Sequence, residues 1–176
     1  MSSSLPVKSV RAFYGVLAAI CVALLAFGYY MQFYAGQEPC PLCVFQRVAY
    51  MAVVVIGLVG AIHAPKGFGR LGYSGAIMIS TSIGAAIAGR QVWLQHLPAD
   101  KVPECGPGLD YMLDVFPLSD ALRMVFTGSG ECAEVTWRFL SFSIAEWSLL
   151  WFVLFAAITA RHCWSAMPRS HKGVTP

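Results

Sequence analysis

The chain has 176 residues, 57% of them hydrophobic and only 12% charged, and its mean hydropathy of +0.63 is far above that of a water-soluble domain of this size. A formal charge of +3 would suit a nucleic-acid partner if the basic residues were gathered into a stripe, but they stand singly between apolar runs, which argues against nucleic acid. The composition points to a lipid bilayer.

Crossing the hydrocarbon core takes roughly 20 apolar residues per helix. The uncharged stretch from Ala12 to Tyr34 supplies the first span, over about 12–34. The second is expected over about 44–65, where Val48 to Pro65 carries no charge, and the third over about 71–89, between Arg70 and Arg90. The fourth, about 144–164, starts near Ile144 and lets Arg161 snorkel outward, with Trp147, Trp151 and Trp164 suited to the interface. The expected fold is an all-α membrane protein: one integral domain over 1–176, a four-transmembrane-helix bundle with external loops at about 35–43 and 90–143. A cleaved signal peptide is the competing reading of the first span, but its apolar run is longer than the usual signal core and no A-x-A-type site follows.

Four spans place both termini on one side. Lys8, Arg11, Lys66, Arg70, Arg161, Arg169 and Lys172 fall on the termini and the middle loop. Arg47, Arg90, Lys101, Arg123 and Arg138 fall opposite, with all nine acidic residues. The basic side is expected to be cytoplasmic. In the long external loop, Leu109, Met112, Leu113 and Phe116, then Leu118, Ala121, Leu122, Val125 and Phe126, recur at helical spacing around Asp110, Asp114 and Asp120. Two short amphipathic helices are expected there, either in the membrane interface or packed on the bundle.

On this topology Cys40, Cys43, Cys105 and Cys132 share the external face. Cys21 lies within the first span and Cys163 near the cytoplasmic end of the fourth, both fitting the role of small buried hydrophobes. Cys40-Pro41-Leu42-Cys43 opens the second span, and a helix N-terminus favours a thiolate. Arg47, four residues after Cys43 and on the same face, adds a positive charge. Three readings of the external cysteines stand together. They could form an all-cysteine zinc site, although Cys105 and Cys132 lack C-x-x-C spacing. Cys105 and Cys132 could close a structural disulfide worth roughly 3–4 kcal/mol on the chain-entropy model. Or two mobile pairs on one face could relay disulfides by exchange.

Pro39-Cys40-Pro41-Leu42-Cys43 with Arg47, the stretch Gly89-Arg90-Gln91 to His96, Cys105, and Gly130-Glu131-Cys132-Ala133-Glu134 together resemble the DsbB family of bacterial disulfide-formation proteins, over nearly the whole chain. The resemblance implies two redox disulfides, Cys40–Cys43 and Cys105–Cys132, with all four cysteines catalytic and no metal. It implies a reduced DsbA-like periplasmic thioredoxin-fold partner attacking at Cys105, followed by attack of Cys132 on Cys40. Cys43 would then face ubiquinone, or menaquinone in its place, with Arg47 and Gln91 binding the quinone and the quinone pool taking the electrons. The location implied is the bacterial inner membrane, with both termini cytoplasmic. Rival readings are a tetraspan scaffold stapled by two disulfides, a reductase of the vitamin K epoxide reductase type, whose C-x-x-C closes a later helix, and a small transporter, for which the spans lack an internal carboxylate pair.

Overall fold

In the computed structural model, residues 7–103, 111, 114, 115, 117, 119, 120 and 130–164 are described. Four long helices make up the body: α1 (Val7–Phe33), α2 (Pro41–His63), α3 (Phe68–Gln95) and α5 (Ile144–Trp164). Each is long and apolar enough to cross a membrane, and the protein is a four-helix membrane bundle. Between α3 and α5 the described residues include a 3-10 turn (Ala99–Lys101), a one-turn helix α4 (Gly130–Ala133) and a two-stranded hairpin, β1 (Arg138–Phe139) and β2 (Phe142–Ser143). Cys105 and every apolar position of the two expected amphipathic helices lie outside the described residues.

The helices run past the uncharged stretches that announce them. α3 continues from Gly89 to Gln95 because Arg90 lays its guanidinium over the Trp93 ring, 4.3 Å from the centroid, while Gln91 turns into the bundle. The α2–α3 connection is short, with Ala64 taking the left-handed conformation that ends α2 (φ 48°). Arg70, expected in that loop, is a buried residue of α3 whose Nη2 donates to the His162 carbonyl at 2.7 Å, satisfying one of the open carbonyls in the last turn of α5.

α2 packs between α1 and α3, and α5 packs against α3. Small residues allow the closest approaches. At Gly84 of α3 an added Cβ would collide with the Phe152 ring of α5, and at Gly57 and Gly60 of α2 it would press on Ala18 and Tyr14 of α1. Tyr50 ties α2 to α5: its ring stacks on Phe152 at 4.2 Å and its hydroxyl meets Ser148 Oγ at 3.1 Å. At the opposite end Phe13 of α1 stacks on the His162 ring at 3.8 Å, closing α1 onto α5. The Tyr14 hydroxyl bonds Ser74 Oγ at 3.1 Å. Polar side chains thus meet one another within the apolar bundle, where no water would satisfy them. Cys21 is buried in this core and Cys163 is half-buried near the end of α5.

The start of α5 is fixed by a reciprocal cap. Ser143 Oγ accepts from the Glu146 backbone N–H at 3.2 Å, and Glu146 Oε2 accepts from the Ser143 N–H at 2.6 Å. Ser143 also donates to Gln95 Oε1 at 2.7 Å, pinning α5 to the end of α3. Immediately before it, Leu140 and Ser141 both take positive φ (50° and 70°), the geometry of a two-residue hairpin turn. Trp147 Nε1 donates to the Phe139 carbonyl at 3.1 Å. The segment carrying Cys132 is therefore followed by a tightly anchored entry into the last helix.

Candidate functional site

The site lies where α1 ends, α2 begins, α3 ends and α5 begins. Gly36 (φ 66°) and the bond from Gln37 N–H to the Met31 carbonyl (3.1 Å) end α1 and reverse the chain. Cys40 follows as the N-cap of α2 in extended geometry, and Pro41 opens the helix at a position where a missing N–H costs nothing. One helical turn then brings Cys43 back beside Cys40. The two sulfurs are 2.9 Å apart, a dithiol contact longer than the about 2.05 Å of a disulfide and short enough for the bond to close with little movement.

Gln91 reaches this pair from α3. Its Nε2 donates to Cys40 Sγ at 3.3 Å and to Cys43 Sγ at 3.2 Å, and its Oε1 lies 3.6 Å from Cys43 Sγ. Gln46, one turn past Cys43, donates from Nε2 to the same Oε1 at 2.6 Å. An amide N–H aimed at two sulfurs complements negative charge there. Gln46, at i+3 from Cys43, is a site residue that the sequence motif, which singles out Arg47 at i+4, does not indicate. A polar side chain at that spacing inside an apolar span was the available signal.

Arg47 is held on the other side of α2. Its Nη2 donates to the Gly28 carbonyl at 3.1 Å, Nη1 bonds Gln32 Oε1, and the guanidinium lies 4.8 Å from the centroid of the Tyr29 ring. The positive charge expected beside Cys43 is thus anchored to the last turns of α1, next to an exposed aromatic cluster of Tyr29, Tyr30, Phe33 and Tyr34.

The third cysteine arrives from the loop. Helix α4 packs on α3 and α2, and Cys132 is fully buried in an apolar cluster with Cys40, Leu42, Ile87 and Leu94. Hydrogen bonding of Cys40 with Cys132, then with Cys43, and then burial, raise the Cys40 thiol well above the ordinary range, holding it neutral. Of the residues expected to act, Cys40, Cys43, Cys132 and Gln91 meet at one point. His96 stands just outside, 66% exposed, its Nε2 3.8 Å from Glu146 Oε1.

A membrane bundle with a C-x-x-C dithiol at a helix N-terminus, and a third cysteine packed on it from a neighbouring loop, defines a membrane thiol–disulfide protein. The comparisons agree. The chain belongs to the DsbB family, whose description is "Disulfide bond formation protein DsbB" and which matches residues 10–161. It is similar to proteins named "Disulfide bond formation protein B". The Hahella chejuensis relative is 46% identical over 159 residues, covering 90% of this chain and 96% of its own. That of Azoarcus sp. (strain BH72) is 49% identical over 140 residues, covering 80% and 84%, and that of Nitrosococcus oceani is 50% identical over 140 residues, covering 80% and 83%. A role in disulfide bond formation follows from the family.

Proposed function

We propose that the protein is a protein-dithiol:quinone oxidoreductase of the bacterial inner membrane, with both termini in the cytoplasm. It takes electrons from a reduced, DsbA-like thioredoxin-fold protein in the periplasm and delivers them to ubiquinone, or to menaquinone where that is the pool. The observation that carries this reading is the packing of Cys132 against Cys40 while Cys40 and Cys43 sit 2.9 Å apart.

The exchange is in-line sulfur chemistry. The partner's thiolate attacks the Cys105–Cys132 disulfide at Cys105, and Cys132 leaves as a thiolate. Cys132 attacks Cys40 Sγ of the Cys40–Cys43 disulfide; the Cys132–Cys40 bond forms as the Cys40–Cys43 bond breaks, and Cys43 leaves as the thiolate. Attack at Cys40 rather than Cys43 is favoured because Cys132 already touches Cys40, and because the departing charge on Cys43 meets the Gln91 N–H at 3.2 Å. The partner's second thiol resolves the mixed disulfide at Cys105.

The residues around Cys43 fit a quinone. Phe45, partly buried on the cluster of Cys40 and Cys132, offers an apolar face for a ring, Gln91 brings an N–H donor of the kind a quinone oxygen accepts, and Arg47 would reach such an oxygen by turning away from Gly28 and Gln32. The freed Cys105 thiolate then attacks Cys132 of the Cys132–Cys40 bond, re-forming Cys105–Cys132 and releasing Cys40, and a bound quinone would supply the two-electron sink that lets Cys40 and Cys43 close again. Gln91 would hold the charge on Cys43, and the apolar packing would keep water from it.

The test uses protein purified in detergent with added ubiquinone and a reduced thioredoxin-fold dithiol protein, following the quinone absorbance. The expected result is rapid loss of oxidised quinone with wild type and none with Cys43→Ser or Cys105→Ser. No reduction by wild type with any such partner would leave the stapled tetraspan scaffold as the better reading.

A further inference from the structure

We propose that Gln46 is a positioning residue, holding the Gln91 amide against the sulfurs of Cys40 and Cys43 with its N–H bonded to both. This goes beyond the thiol-oxidase reading and rests on it only in taking Cys40 and Cys43 as the redox pair.

A glutamine amide has two faces of opposite polarity and nearly equal shape, so Gln91 alone could present either to the sulfurs. The carbonyl would suit two thiols and oppose a thiolate; the N–H does the reverse. Gln46 holds Gln91 in one arrangement by bonding it directly across the helix interface. Its Nε2 donates to Gln91 Oε1 at 2.6 Å, an oxygen that also lies 3.6 Å from Cys43 Sγ, while Gln91 Nε2 spans Cys40 and Cys43 at 3.3 and 3.2 Å. Both glutamines are 5% exposed, so bulk water does not compete for these groups and the orientation is set by protein contacts. Each is carried on a long helix, α2 or α3, that packs on the other, and Gln46 follows Cys43 by one turn. A displacement of the amide therefore needs a movement of the helices themselves.

Helix–helix adhesion alone would also place two glutamines in contact. The two roles differ in what they do to the sulfurs. Adhesion predicts lower stability with unchanged thiol chemistry, whereas positioning predicts altered chemistry at Cys43 in a folded protein.

The experiment uses the full chain in detergent, fully reduced, without quinone or partner. The rate of alkylation of Cys43 is read by peptide mass spectrometry across pH, and the Cys40–Cys43 couple is titrated against glutathione. The variants are Gln46→Leu, Gln46→Met, Gln91→Leu and the double variant Gln46→Leu/Gln91→Leu. A hydrogen bond to a charged group is worth enough to change an equilibrium about tenfold. Gln46→Leu and Gln46→Met are therefore expected to alkylate about tenfold more slowly near neutral pH, with the profile moved upward by about one pH unit. The Cys40–Cys43 couple should become less oxidising by about 30 mV, the equivalent of tenfold for a two-electron couple. Because Gln46 acts through Gln91, the double variant should match Gln91→Leu alone. Rates within twofold of wild type in either folded Gln46 variant, or multiplying effects in the double variant, would overturn the proposal. The Met variant keeps the length of the side chain and decides the matter if Leu prevents folding. A pair that never equilibrates with glutathione would count against the oxidase reading, while the alkylation profile would still decide the role of Gln46.

Discussion

Cys132 is completely buried and in hydrogen-bonding contact with Cys40, although 92 residues of chain separate them. The contact joins the loop cysteine to the helix pair with no intervening group. Replacing Cys132 by Ala should therefore separate the two halves of the relay. Oxidation of a reduced protein dithiol should fall to background, while the Cys40–Cys43 couple, challenged directly with a small dithiol, should still pass electrons to ubiquinone. Parallel assays of the two reactions on one preparation check this, and equal loss of both would count against it.

The raised Cys40 thiol has a consequence for stability. Its partners Cys132 and Cys43 and its burial favour the neutral form in the folded, reduced protein. An unfolded cysteine ionises near pH 8.5. The folded state thus holds a proton that the unfolded state has lost once the pH exceeds that value, so this stabilisation is complete below about pH 8.5 and declines as pH rises toward the folded value. Thermal melts of the dithiol form should fall above about pH 8.5, and Cys40→Ser should show a smaller fall over the same range.

Close approach of α3 and α5 at Gly84 makes that position intolerant of any side chain. Gly84→Ala gains about 1 kcal/mol of helix propensity but forces the fully buried Phe152 ring to move, an overpacking cost of about 1–3 kcal/mol. Net destabilisation is expected. Gly75→Ala on the same helix, with nothing within 4 Å of the new methyl, should instead stabilise by roughly 0.5–1 kcal/mol. Unfolding of the two variants in mixed micelles measures the contrast directly.

Ser143 caps α5 and bonds Gln95 at once. Ser143→Ala should cost about 0.5–2 kcal/mol and speed hydrogen exchange at Glu146 and its neighbours. Unchanged exchange in the first turn of α5 would show that the cap does not hold the helix start.

The four membrane helices were legible because uncharged runs of this length have few alternatives. Their ends were not, since charge was read as a stop: Lys8 and Arg11 lie inside α1 and Arg90 inside α3. Long basic side chains can remain on a helix by lying on aromatic rings, as Arg90 does on Trp93. The C-x-x-C at a helix N-terminus was visible from Pro41 and the following apolar run. The contact between Cys132 and Cys40 was not, because it depends on how a loop folds over helices distant in the chain. Arg47 followed the i+4 rule onto the face of Cys43, yet its long side chain reached the Gly28 carbonyl on α1, a partner that local spacing does not encode. Gln46 is the reverse case, one turn from Cys43 on the same helix and bonded to Gln91 beside the sulfurs.

The direct passage of electrons from the loop to the helix pair is tested most simply in Cys43→Ser, which removes the group that would displace Cys132 from Cys40. After one exposure to a reduced thioredoxin-fold partner and rapid acid quenching, the variant's Cys40 and Cys132 are examined by non-reducing peptide mapping, starting from protein in which Cys105 and Cys132 are oxidised and Cys40 is activated as a mixed disulfide with a small thiol. The account predicts a Cys40–Cys132 disulfide formed with release of the small thiol. Release of that thiol by the partner itself, with Cys132 left unpaired to Cys40, would contradict it.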